Sequence, residues 1–262
     1  MKVSMSKFAF LYCIAVLWTT LTTAQQTTAL DANSYWRCLF LSSSPLVRVG
    51  NELKVVYPHK AAIAPLPQNW FNPEFDDLAW VRLTGPFFPG SGHAYSDESR
   101  GKGFVGFEGS SADLALICLR GYFEVTDLAK VENLQLNLAW RGGVVIYLNG
   151  QEVARYNLPA GQLTSSALAD DYPLEAYVRE DGKQIRWGWN DPQNNKERLE
   201  KRVRKAENIP LPKNLLRKGM NVLAIQIHRT AYNEVALSDT KKVFLAKITA
   251  MPGLRLAWLI WH

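Results

Sequence analysis

Cysteine is scarce in this chain, three in 262 residues. Cys13 lies in an apolar leader, which leaves Cys38 and Cys118 in the body. With so few thiols and no Cys-x-x-Cys, neither a thiolate zinc site nor a disulfide-dense scaffold is supported. Histidine is as scarce, four in all, scattered and without an HExxH. There is no G-x-S-x-G, no P-loop and no dinucleotide fingerprint, which removes the common hydrolase and nucleotide chemistries. No internal repeat is present. After the leader, no apolar run is long enough to cross a bilayer as a helix. A large charge of one sign is missing too. The formal charge is +6; loss of Lys2 and Lys7 with the leader leaves +4, too diffuse for a nucleic-acid surface.

What is there begins with that leader. Lys2 and Lys7 precede the apolar run Phe8 to Trp18, and Thr22-Thr23-Ala24 supplies small residues for cleavage. Residues 1–24 are expected to be a secretory signal peptide, with an uncleaved anchor as the alternative. The expected location is secreted, extracellular or periplasmic. In an exported chain Cys38 and Cys118 can form one disulfide or remain two buried thiols. Residues 25–34 read as a flexible lead-in, and residues 35–262 as a single domain.

The whole chain is 47% hydrophobic and 21% charged, an ordinary globular balance. Leu134, Leu136 and Leu138 alternate with Gln135 and Asn137, which predicts a strand with one dry face. Val144 to Leu148 is rich in β-branched residues and reads as a buried strand. Asn149-Gly150 then leads into Gln151 to Tyr156. Asn-Gly between strand-like runs predicts a type I′ hairpin, whose central residues both need positive φ. Further strands are expected at Tyr35 to Leu41, across Leu46 to Tyr57, and at Leu114 to Val125 as one strand or two. Others are expected at Val222 to Arg229, Val243 to Thr249 and Leu254 to Trp261. Trp70 to Trp80 lacks alternation and reads as a packed loop holding two indoles. The pattern predicts an all-β fold, an antiparallel β-sandwich. A long inserted segment, about 162–212, interrupts it. Leu199, Val203 and Ala206 fall at helical spacing there, so a short helix is expected within Lys196 to Glu207.

Four motifs occur in one order. They are Phe75-Asp76-Asp77-Leu78-Ala79-Trp80, Arg120-Gly121-Tyr122-Phe123-Glu124-Val125, Val145 through the Asn149-Gly150 turn to Val153, and Leu216 through Gly219 and Asn221 to Ala224. Together they resemble the galactose-binding-like jelly-roll domain, an accessory module of secreted and lysosomal glycosidases such as β-galactosidases. The family pattern is an acidic pair before Trp, an R-x-x-F strand, a Y-x-N-G hairpin and a G-x-N-x-L-A strand. The resemblance spans Phe71 to Arg229. It implies a sandwich that binds or positions carbohydrate and does not cleave it. The long 162–212 segment departs from the family, as does Gly85-Pro86-Phe87, where a Pro-His stretch is usual.

The candidate ligand residues are Arg186, Trp187, Trp189 and Asn190. Two indoles two residues apart would face one side of an extended strand and stack on a sugar ring, with Arg186 and Asn190 supplying hydrogen bonds. The alternative is that both rings seal the segment against the sandwich. Asp76 and Asp77 are expected to cap loop amides and orient Trp80, against a catalytic pair or a structural calcium site. Arg120, between apolar strand residues, needs a carboxylate partner if buried. Asn149 and Gly150 are expected to make the turn and nothing more. His228 should face away from the Leu223, Ile225 and Ile227 row. No catalytic residue and no cofactor is indicated. The functional expectation is a secreted, non-catalytic carbohydrate-binding or scaffolding module. Its alternatives are an N-terminal accessory fragment of a longer glycoside hydrolase and an exported protein-interaction sandwich. Carbohydrate is the expected partner.

Overall fold

A computed structural model describes residues 27–31, 33–56, 62–85, 114–185 and 194–237, with backbone alone at 88–89, 104–105 and 257–260. The strands are β1 (Tyr35–Ser42), β2 (Leu46–Val49), β3 (Glu52–Val55), β4 (Val81–Thr84), β5 (Phe88–Pro89), β6 (Phe104–Val105) and β7 (Leu114–Val125). They continue with β8 (Leu134–Trp140), β9 (Gly143–Leu148), β10 (Gln151–Tyr156), β11 (Arg204–Leu211), β12 (Gly219–His228), β13 (Tyr232–Asn233) and β14 (Ala257–Ile260). One short helix, α1 (Lys196–Glu200), stands before β11.

Six strands form the main sheet in the order β10-β9-β12-β7-β1-β4, and β11-β8-β14 form a second. All of these pairings are antiparallel. The layers meet through one cluster. Ile117, Leu119 and Phe123 of β7, Val144, Ile146 and Leu148 of β9, and Leu223, Ile225 and Ile227 of β12 pack against Leu136, Leu138, Ile209 and Leu211. Each such side chain, taken from water, contributes about 1.5–3 kcal/mol. The fold is the expected antiparallel β-sandwich.

The main sheet is dry on its other face as well. Leu116, Cys118, Val145, Tyr147, Val222 and Ala224 alternate with the first set and lie under Trp70 and Trp80 of the preceding loop. That two-sided burial explains why β9 reads as an unbroken apolar run. β7 is one strand of twelve residues, which resolves the choice left by its sequence. Gly142 carries the chain from β8 in one layer to β9 in the other. Its φ is +82°, and a Cβ there would stand 1.9 Å from the His228 carbonyl oxygen, so only glycine fits the crossing.

The short helix lies within Lys196 to Glu207 as expected, but it fills only part of that span. The helix ends at Glu200, and Arg204 begins a strand. Lys205 and Glu207 are exposed while Ala206 is half-buried and Ile209 and Leu211 are buried, which is period-two burial. The charges that suggested a helical face are the wet side of β11. The sheets therefore resume at Arg204, inside the expected 162–212 segment. Cys38 and Cys118 are free thiols. They sit on adjacent strands one register position apart, Cys38 opposite Leu119 and Leu39 opposite Cys118. Their side chains accordingly point to opposite faces, Cys38 into the inter-layer cluster and Cys118 into the outer one. Burial pushes the Cys38 thiol up to about 12 and the Cys118 thiol well above its ordinary value. The leader and the expected Val243 to Thr249 strand lie outside the described residues.

Candidate functional site

Arg120 is the anchor of the outer face, with no exposed surface. Its Nε donates to Asp77 Oδ2 at 2.6 Å. Nη1 donates to the Trp70 and Asn72 carbonyls, and Nη2 to the Phe75 carbonyl and the Tyr122 hydroxyl. Tyr122 donates to Asp77 in turn, and burial followed by that carboxylate raises the phenol above its ordinary pKa. Arg37 lies directly across the strand pair from Arg120 and has its Nε 3.7 Å from Asp77 Oδ1. One buried carboxylate thus reconciles two guanidiniums that would otherwise repel. The outcome is a loop nailed to the sheet, with Trp70 and Trp80 stacked at 5.7 Å.

Asp76 takes a separate task. It is exposed, and its Oδ1 accepts from the Leu78 amide at 3.0 Å. With Asp77 committed to Arg120, Tyr122 and Arg37, the two acids do not face each other across a ligand. Among the described residues no group of three or more His, Cys, Asp or Glu is gathered to hold a metal ion.

Asn149 and Gly150 form the β9–β10 turn with φ of 48° and 90°. They also do more than turn the chain. Asn149 Nδ2 donates to Leu215 O and to Asn221 Oδ1, both at 2.7 Å, while its Oδ1 accepts from the Val222 amide at 2.8 Å. A Cβ on Gly150 would meet Asn72 Oδ1 at 2.6 Å, so this turn rests on the Trp70 loop. Nothing local pairs Asn149 with Asn221, because 72 positions separate them.

His228 is fully buried on the outer face with Gln226. A carbonyl only accepts, so Nδ1 carries the proton that bonds Ala167 O at 2.9 Å. Nε2 then accepts from Gln226 at 2.7 Å. Burial lowers its pKa to about 4. A neutral imidazole with both nitrogens engaged in protein contacts holds the 157–170 loop down.

A polar concavity lies within the long segment. It measures about 460 Å³ and is lined by Arg179, Glu180, Asp181, Asn194, Asn195, Glu197 and Arg198. One wall is the turn after Val178, where Asp181 accepts from Arg179 at 3.0 and 3.2 Å and from the Lys183 amide at 3.1 Å. The other is the start of α1. Arg198 bridges them, donating to Val178 O at 3.3 Å and standing 4.0 Å from Glu180. None of these residues is among the candidate ligand residues drawn from the sequence. Arg186, Trp187, Trp189 and Asn190 fall outside the described residues, in sequence between the two walls.

An all-β sandwich that carries a polar concavity is the class the described residues define. No family model matches the sequence, and no curated protein does. Among solved structures the chain is similar to a calcium-binding mutant of Bacteroides uniformis beta-glucuronidase 2, at 14% identity and a TM-score of 0.37, over 89% of this chain and 18% of that one. It is similar to a beta-glycosidase from Bacteroides vulgatus at 11% and 0.32, over 76% and 17%. A third is an uncultured Clostridium sp. beta-glucuronidase at 14% and 0.30, over 78% and 23%. The chain spans less than a quarter of each of these proteins. At such scores the fold rests on its own strand pairing.

Proposed function

We propose that this chain is a non-catalytic module of an exported glycoside hydrolase, and that it holds carbohydrate at the concavity between Arg179 and Arg198. The observation that carries this reading is the concavity itself. Its volume of about 460 Å³ is that of a small-ligand site, and its lining mixes guanidinium, carboxylate and amide groups that bond hydroxyls in pairs. Trp187 and Trp189, between its walls in sequence, would add the flat apolar faces that sugar rings stack on. The order of the four motifs along the chain supports the same role. The outer-face carboxylate nearest to chemistry, Asp77, is consumed by Arg120 and favours positioning over bond cleavage.

The test is a glycan array on the full chain with its leader removed, beside Trp187→Ala/Trp189→Ala and Arg198→Ala. Wild type is expected to bind a glycan subset and both variants to lose about tenfold or more in affinity, the size of one good contact. Undiminished binding in both would overturn the proposed site. Turnover of aryl glycosides by the isolated chain would overturn the non-catalytic role.

A further inference from the structure

We propose that Arg202, with Arg204, Tyr172 and Tyr177, forms an oxyanion site for a carboxylate or sulfate group. Arg202 follows α1 and is 9% exposed. Its Nε donates to Ala176 O at 2.9 Å, and its guanidinium lies 4.5 Å over the Tyr177 ring. Among the described residues no carboxylate pairs with it and neither terminal NH2 group has an acceptor.

The neighbouring charges deepen the imbalance. Arg204 lies 4.6 Å over Tyr172, and the two tyrosine rings are 6.4 Å apart. Arg204 spends its donors on main-chain oxygens, Gly142 O at 2.6 Å, Asp170 O at 2.7 Å and Asp171 O at 3.3 Å. The carboxylates of that loop are engaged elsewhere: Asp171 pairs with Arg48, and Asp170 accepts from Asn157. Arg141 also acts electrostatically on the Tyr172 hydroxyl, together with Arg204 and Arg202.

A guanidinium this buried without an opposing charge is costly to the fold. An anion removes the cost. The free edge of a guanidinium offers two parallel N–H groups, the geometry that carboxylate and sulfate oxygens accept. Tyr177 stacks on the guanidinium, and Arg204, over the neighbouring Tyr172, adds positive potential. Arg202, Arg204, Tyr172 and Tyr177 are not among the residues that line the Arg179–Arg198 concavity. The oxyanion site holds whether or not glycan binds there.

A free inorganic anion and an acid group on a glycan present the same oxygens, so the test has an arm for each. The full chain is titrated by calorimetry with sodium sulfate against sodium chloride at matched ionic strength. It is titrated separately with a uronic-acid oligosaccharide and with its carboxyl-reduced form. Saturable sulfate binding, or binding of the uronate that the reduced form lacks, supports the site and names the source. Arg202→Lys keeps the charge and the stem over Tyr177 but loses the fork, and is expected to bind about tenfold more weakly. Arg202→Gln, checked for folding by circular dichroism, is expected to abolish binding. No response to sulfate beyond chloride with no preference for uronate would overturn the proposal. So would wild-type affinity in Arg202→Lys, which is the variant read if Arg202→Gln does not fold.

Discussion

Arg120 satisfies three main-chain carbonyls as well as Asp77 and Tyr122. Its replacement therefore orphans a loop and not just a charge. A lysine reaches one or two of those acceptors with a single ammonium. Arg120→Lys is expected to cost about 3 kcal/mol, near the loss on breaking a buried ion pair. Asp77→Asn should cost less, because the carbonyls keep their donor. Urea unfolding of the two variants ranks them, and an Asp77→Asn that unfolds more easily than Arg120→Lys would contradict that order. His228 makes a second residue-scale expectation. Its folded pKa, about 4, lies below its ordinary 6.5. The unfolded chain therefore binds the proton first as pH falls. The stabilisation is fully present above 6.5 and is lost as pH drops through 4, about 3 kcal/mol in all. His228→Gln should flatten the melting temperature between pH 7 and pH 4 relative to wild type, and an unaltered slope would count against a neutral buried imidazole.

Two elements meet at the Asn149-Gly150 corner, and their coupling is measurable. Asn149→Gly keeps the left-handed backbone and removes the side-chain bonds to Leu215, Asn221 and Val222, so it is expected to cost about 2 kcal/mol. Asn221→Ala should cost a similar amount. The double variant should cost clearly less than the two together, since each residue is the other's partner; additive losses in equilibrium unfolding would separate them. The hairpin itself was legible, because Asn-Gly between apolar runs demands one kind of turn. So was the sandwich, from the period-two rows of β8 and β12 and the unbroken run of β9. The bond from Asn149 to Asn221 was not, since nothing local marks a contact 72 positions away. β11 was hidden for a different reason. Arg204 to Glu207 carry charges at spacings that fit either a helix or a wet strand face, and only Ile209 and Leu211, buried in the inter-layer cluster beside β8, decide between them. The concavity was hidden because its walls, Arg179 to Asp181 and Asn194 to Arg198, are distant in sequence and polar, a composition shared with ordinary surface.

At the scale of the whole molecule, the main sheet is the shared wall of two apolar clusters, and the two cysteines report on one each. Cys38 faces the inter-layer cluster with Leu136 and Leu138, and Cys118 faces the outer cluster under Trp70 and Trp80. Strands β1 and β7 carry both thiols side by side and contribute to both clusters, so separation of these strands opens both. The protein is therefore expected to unfold as one unit across the sheet. Leu136→Ala, at a fully buried position in the inter-layer cluster, should cost about 3 kcal/mol. It should lower the melting temperature by roughly 6–12 °C for a chain of this size. Site-resolved thiol labelling under native conditions, read by mass spectrometry, tests the coupling. Both thiols should react slowly in wild type, and the substitution should accelerate Cys118 as much as Cys38, although Cys118 lies on the opposite face of the sheet. Acceleration of Cys38 alone would show that the layers separate while the outer face stays closed, and the Arg120 loop and the His228 clasp would then be holding a unit of their own.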